Sequence, residues 1–263
     1  MVSGIKTNKG EFRLASAANG TALSTTAAYV TLPRKSDYLT ITPRNFATAV
    51  VVRIAEMPWL TILRTDDNLL TAPTDYSEQA QDASTATDVN LAAIDIIANG
   101  GALYVGSYVP FRGVYIDVDA ANTGTSSDLT VKYWSGAAWT DISATDGTNG
   151  TESIDQDGTV TWTVPANWVM SSLTKMGETK ANFPWEEEPL FWTRWEWDIA
   201  TVAATANSII GLNRSTAYSE LTLGQALQGF VENGPNGISG LECLTNAGTA
   251  NLLVNARTVG KFA

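Results

Sequence analysis

The sequence contains no histidine. That excludes a Ser-His-Asp or Cys-His nucleophile and every imidazole-ligated metal site. Cysteine occurs once, at Cys243, so no disulfide closes within the chain and no thiolate zinc cluster is possible. Within GLECLT, Cys243 reads as a buried strand residue. No run approaches the roughly 18 apolar residues of a membrane-spanning helix. The opening MVSGIKTNKGEFRLAS has no apolar core of a signal peptide, so the expected setting is a cytoplasm. Neither G-x-x-x-x-G-K-[ST] nor G-x-G-x-x-G before a helix is present, so no phosphate cradle is expected. Basic residues are few, 16 against 27 acidic, for a formal charge of −11. Such a chain is not expected to bind nucleic acid directly. No cofactor and no membrane partner are expected.

Tryptophan is abundant. Eight of the nine lie between Asp128 and Asp198, and only Trp59 lies outside. In DLTVKYWSGAAWTDI, Leu129, Val131 and Tyr133 alternate with Thr130, Lys132 and Trp134, the period of a strand. Ser135-Gly136 is a turn signal, and Ala138 to Ile142 reads as the returning strand of a hairpin. In GTVTWTVPANWVMSSL, Val160, Trp162 and Val164 share a strand face. Pro165 ends that strand, and Trp168, Val169 and Leu173 read as one face of a short helix. In PLFWTRWEWDI, Phe191, Thr193, Trp195, Trp197 and Ile199 form an aromatic face. Leu190, Trp192, Arg194, Glu196 and Asp198 form a mixed one. These indoles suit a Trp-rich core, because most sit at alternating, inward-compatible positions. The sharper reading is a sugar-stacking platform, for which Trp134 and Trp139 are the candidates because they flank a hairpin tip.

In chain order, residues 1–28 read as an N-terminal arm rich in Ser, Thr, Ala, Gly and Asn. Lys6, Lys9 and Arg13 make it a candidate for docking on an acidic partner. From Met1 to Arg53 there are seven basic residues and two acidic ones. From Thr65 to Phe111 there are seven acids and no Lys or Arg. This split suits head-to-tail contacts between subunits, or simply two solvated faces. Residues 29–102 read as a β-region, with strands AYVTL, DYLTIT, ATAVVVRIA and TILRT and an acidic loop from Asp66 to Asn90. Leu91 to Ala98 is a short helix or a strand. Residues 103–214 form the Trp-rich module, and NSIIGLNRS is one more strand. Residues 215–263 hold three apolar runs broken by Gly234-Pro235-Asn236-Gly237 and Asn246-Ala247-Gly248, further strands or a projecting C-terminal arm. The expected class is all-β, a β-sandwich or jelly roll with extended N- and C-terminal arms.

Two acidic groupings bear on chemistry. Glu186-Glu187-Glu188 with Glu196 and Asp198 matches a glycosidase cleft in composition only, since hydrolysis needs two carboxylates at a fixed separation. Three consecutive glutamates after a proline suit an exposed turn, and no enzymatic activity is expected. Asp155-Gln156-Asp157-Gly158 and Asp117-Val118-Asp119 could offer oxygen ligands to calcium, but neither has EF-hand spacing, and Asp-Gly is also a hairpin turn.

The run from about Leu103 to Arg214 resembles a module that recurs in structural proteins of tailed bacteriophages. The matching segments are LYVGSYVPFRGVYIDV, LTVKYWSGAAWTDI, the Asp146-Gly147-Thr148 turn, GTVTWTVPANWV and LFWTRWEWDI with its aromatic pair before Arg194. A Y-W-x-G-x-x-W hairpin also occurs in jelly-roll carbohydrate-binding modules. The chain departs from the phage pattern by an insertion at Met176 to Pro189. The resemblance implies a non-catalytic virion component, assembled in a host cytoplasm, with head or tail position left open. The expected function is a capsid-decorating (cement) protein. Its partners would be the major capsid protein or tail proteins, and it would form a homo-oligomer for which three-fold symmetry is the guess. The alternatives are a tail or baseplate subunit, or a carbohydrate-binding host-adhesion module.

Overall fold

The computed structural model describes residues 11–13, 20–32, 36–47, 50–82, 84–125, 127–178, 181–215, 217–231, 234–235 and 237–257. The chain is all-β. Its strands, in order, are β1 (Glu11–Arg13), β2 (Thr21–Leu23), β3 (Ala28–Thr31), β4 (Tyr38–Arg44), β5 (Val52–Pro58), β6 (Thr61–Thr65), β7 (Thr74–Asp75), β8 (Val89–Asn90), β9 (Ala102–Ser107), β10 (Gly113–Ala120), β11 (Leu129–Trp134), β12 (Trp139–Asp141), β13 (Thr145–Asp146), β14 (Gly158–Thr161), β15 (Phe191–Trp197), β16 (Thr205–Gly211), β17 (Ser219–Leu221), β18 (Leu227–Phe230), β19 (Ile238–Thr245) and β20 (Ala250–Arg257). Among the described residues a single 3-10 turn covers Gln79–Gln81. Among the described residues no helix is long and apolar enough to cross a membrane.

The chain divides into two units. One is continuous, Met57–Ser215. The other joins Met1–Glu56 to Thr216–Ala263.

The continuous unit is a β-sandwich. Its six-stranded sheet runs β12-β11-β15-β9-β6-β7 and its five-stranded sheet runs β13-β14-β10-β16-β8. Alternation along each strand sends one set of side chains between the sheets. Ile62, Leu103, Val105, Val131, Tyr133, Trp195 and Trp197 come from the first sheet. Val89, Val114, Ile116, Val160, Ala206 and Ile209 come from the second. Phe111, Trp162 and Trp168 pack together within the same core, ring against ring at 5.2–6.4 Å. The indole N–H groups are mostly served inside: Trp162 donates to the Phe111 carbonyl, Trp168 to the Trp192 carbonyl, Trp195 to Thr193 Oγ1 and Trp197 to Ser153 Oγ. Burying an indole is favourable only when its one donor finds an acceptor, and these four do.

The opposite face of the six-stranded sheet carries Leu63, Tyr104, Leu190 and Trp192, covered by Leu173 and Met176 from the segment between Ser171 and Leu190. The two faces of β15 therefore divide as the alternation requires, with Trp195 and Trp197 inward and Trp192, Arg194 and Glu196 on the covered side. The expected short helix after Pro165 is absent. Trp168 N–H closes a turn onto the Pro165 carbonyl, and the next amide, Val169 N–H, goes to the Trp134 carbonyl. The β11–β12 hairpin captures the chain before a helical repeat can begin. Leu91 to Ala98 is likewise neither helix nor strand but a succession of turns.

The second unit packs a sheet ordered β1-β20-β4-β18, with β2 also on β20, and a sheet ordered β17-β5-β19-β3. Its core includes Leu39, Ile41, Val52, Ile54, Leu241, Cys243, Leu252, Val254 and Ala256. The expectation of extended arms gives way here, wherever residues are described. β1 and β2 pair with β20, and β20 lies inside its sheet, bonded on its other side to β4. The apolar alternation of Leu252, Val254 and Ala256 makes this a buried strand rather than a projection. Lys6 and Lys9 lie outside the described residues. Arg13 sits in β1 opposite Asn255.

Candidate functional site

The covered face of the six-stranded sheet holds a cluster of polar and charged side chains. Pairing aligns its members in a row across the strands. Asp141 on β12 faces Lys132 on β11, Lys132 faces Arg194 on β15, and Arg194 faces Tyr104 on β9. Two cations directly opposite each other would be destabilising alone. Two carboxylates offset them. Glu196 places Oε2 2.6 Å from Lys132 Nζ and Oε1 3.0 Å from Arg194 Nε. The Arg194 Nε contact is close enough for an ion pair but is not aligned as a hydrogen bond.

Glu178 supplies the second carboxylate, from the segment that covers the sheet. It accepts from Tyr104 Oη at 2.6 Å, from Trp139 Nε1 at 2.7 Å and from Arg194 Nη1 at 3.4 Å. The Arg194 guanidinium also lies 5.8 Å from the Tyr104 ring centroid. Burial, first of all, pushes the Tyr104 hydroxyl well above its ordinary range. It therefore stays a neutral donor to Glu178. Two further contacts fasten the segment. Tyr108 donates its hydroxyl to Glu188, and Trp185 Nε1 donates to Asp75 Oδ2 at 2.8 Å. Burial, and then Glu188, push the Tyr108 hydroxyl up to about 12.

Trp134 and Trp139, the candidates for stacking on a sugar, are directly opposite residues of the β11–β12 hairpin. Both are half-buried, with ring centroids 5.7 Å apart at 69°. Trp139 also meets Tyr104 edge-on at 5.9 Å. The hairpin turn is built as its sequence suggests, with Gly136 at φ +92° and Ser135 N–H bonded to the Ala138 carbonyl. The structure thus brings Trp134 and Trp139 together with Tyr104, Glu178 and Arg194. Glu178 was not visible in the sequence, because it lies in an unpatterned insertion. The only signal was the mixed face of β15, which placed Arg194 and Glu196 together.

The acidic groupings are spent on nearby amides and polar side chains. Asp155 accepts from the Gly150, Thr151 and Glu152 amides and from Thr151 Oγ1. Asp157 accepts from Val118 N–H, Asp117 from Asn207 Nδ2 and Asp119 from Thr205 Oγ1. Among the described residues no group of three or more His, Cys, Asp or Glu is arranged to hold a metal ion. Glu187 is exposed in a turn, and Glu186 and Glu188 are half-buried.

No known protein-family model matches the chain, and no curated protein or solved structure matches it.

Proposed function

We propose that the chain is a non-enzymatic structural subunit of a tailed-bacteriophage virion, a capsid-decorating (cement) protein that strengthens the particle by bridging its neighbours. One observation carries this reading. The groups that could do chemistry on the covered face are spent on one another. Glu178 takes three donors, and Glu196 lies against both Lys132 and Arg194. These contacts tie the Ser171–Leu190 segment to the sheet and stiffen a Trp-rich sandwich. The order of segments between Leu103 and Arg214, which resembles a phage structural module, supports the same reading. A tail or baseplate position uses the same physics.

A rigid subunit stabilises a shell by burying interface area that offsets the freedom lost on assembly. The test heats particles assembled with and without the protein. A higher disruption temperature with the protein is expected; an unchanged one refutes the cement role.

The half-buried Trp134–Trp139 pair favours a second reading, carbohydrate binding. Binding of host polysaccharide that is lost in Trp139→Ala, with the fold intact, would select it over the first.

A further inference from the structure

The carboxylate of Glu178 is held as a ligand is held. Tyr104 Oη and Arg194 Nη1 donate to Oε2, at 2.6 and 3.4 Å, and Trp139 Nε1 donates to Oε1 at 2.7 Å. The donors come from three strands of one sheet, β9, β15 and β12. They converge on both oxygens of a group that belongs to none of those strands. Tyr104 is fully buried. The Arg194 guanidinium is set by a second contact, its Nε lying 3.0 Å from Glu196 Oε1. Donors fixed before a ligand arrives lose little freedom when it binds.

The occupant is attached lightly. The main chain of the covering segment is closed by its own turns. Met176 N–H bonds to the Ser172 and Leu173 carbonyls, Gly177 N–H to the Thr174 carbonyl and Glu178 N–H to the Leu173 carbonyl. Leu173 and Met176 make its apolar contacts on this face. Among the described residues, the Glu178 side chain adds only the three donated bonds. Rotation about its own side-chain bonds therefore releases it with the segment in place. Glu178 and Arg194 keep 13% and 15% of their side-chain surface exposed, so the site is open at its margin. Beside it, Trp139 and Trp134 are both half-buried, with rings 5.7 Å apart.

We propose that these donors form a binding site for the carboxylate of an acidic sugar, a uronate within a polysaccharide, and that Glu178 fills it as an internal ligand until the uronate takes its place. The proposal rests on the carbohydrate reading of Trp134 and Trp139 and specifies its ligand. The donor set selects a carboxylate, because converging N–H and O–H groups, one of them on a guanidinium, match an anion with two oxygens. Charge selects it too. Exchanging one carboxylate for another keeps Arg194 balanced. Displacement by a neutral sugar leaves Arg194 with Glu196 alone, which Lys132 already shares. The indoles supply the ring contact that a simple carboxylate lacks. That added contact offsets the advantage of a tethered competitor.

The test titrates the full chain with a galacturonate trisaccharide, the corresponding neutral galactose trisaccharide and acetate, following the indole N–H resonance of Trp139 by NMR. The galacturonate should bind and move that resonance; acetate at the same concentration should not. In Glu178→Ala the internal competitor is gone, and galacturonate should bind at least about tenfold more tightly. It should also raise the melting temperature of that variant more than that of the wild type, a readout that survives a loss of stability. Trp139→Phe keeps a ring and removes one donor. It should weaken galacturonate binding and leave neutral-sugar binding as it was. Neutral trisaccharide binding as well as galacturonate overturns the proposal and leaves the carbohydrate reading standing. So does a galacturonate affinity unchanged by Glu178→Ala. Acetate acting on Glu178→Ala as strongly as galacturonate overturns the sugar class. Failure of both saccharides, on wild type and variant alike, removes the carbohydrate reading together with the proposal.

Discussion

Trp139 donates its indole N–H to Glu178 at 2.7 Å, joining a hairpin edge to the segment that covers the sheet. The same carboxylate holds Tyr104 and faces Arg194, so one side chain fastens three elements. Glu178→Ala leaves the Tyr104 hydroxyl and the Arg194 charge short of a partner on a largely buried face. A loss of about 3 kcal/mol is expected, read by urea denaturation. Trp139 fluorescence should shift before the global transition. Glu178→Gln should recover part of the loss, because it keeps one acceptor.

The tryptophans should separate by depth. Trp192 is fully buried against Gly106, where a Cβ would sit 2.6 Å from its ring. Trp192→Ala is expected to cost about 3–5 kcal/mol, and Gly106→Ala should destabilise by displacing the same ring. Trp139→Ala, at a half-buried position, should cost about 1–2 kcal/mol. Thermal melts of the three variants check the order. Equal losses for Trp139→Ala and Trp192→Ala would contradict it.

Acid should act partly through Asp155. The Thr151 amide, first among its donors, holds this carboxyl below its ordinary 3.8. Asp67 is held low in the same sense, chiefly by the Thr71 hydroxyl. A depressed folded-state value means that the contribution is present above 3.8 and is lost as pH falls through the lower folded-state value. Asp155→Asn should lower stability at neutral pH and flatten its decline below pH 3.8. Denaturation midpoints of the two proteins, compared across that range, measure the effect.

Cys243 should be inert while the protein is folded. It is fully buried, and burial, then Glu242, pushes its thiol up to about 12. A thiol reagent at neutral pH should label less than a tenth of the native protein over a time that labels the unfolded chain completely. Rapid native labelling would show that the second unit opens readily.

Much of this architecture is legible in the sequence where alternation is strict. The two faces of β15 follow from spacing alone, and so does the β11–β12 hairpin, with Ser135-Gly136 at its turn. What escapes is decided by contacts distant in sequence. Trp168 and Val169 have helical spacing, but their amides are taken by Pro165 and Trp134. Glu178 has no local pattern and gains its role only when Tyr104 and Trp139 arrive from two strands. The C-terminal runs resemble an arm because nothing local says that β20 will be flanked on both sides.

The assembly of the second unit from both ends of the sequence has a kinetic consequence. Residues 57–215 carry every strand of their own sandwich and can close while synthesis continues. The β2, β3 and β4 segments must wait through that whole interval for β19 and β20 to emerge. Joining them closes a loop of about 200 residues and raises contact order, which slows folding. The slower refolding phase should therefore belong to the unit that contains Cys243, whose thiol protection gives a clock for it.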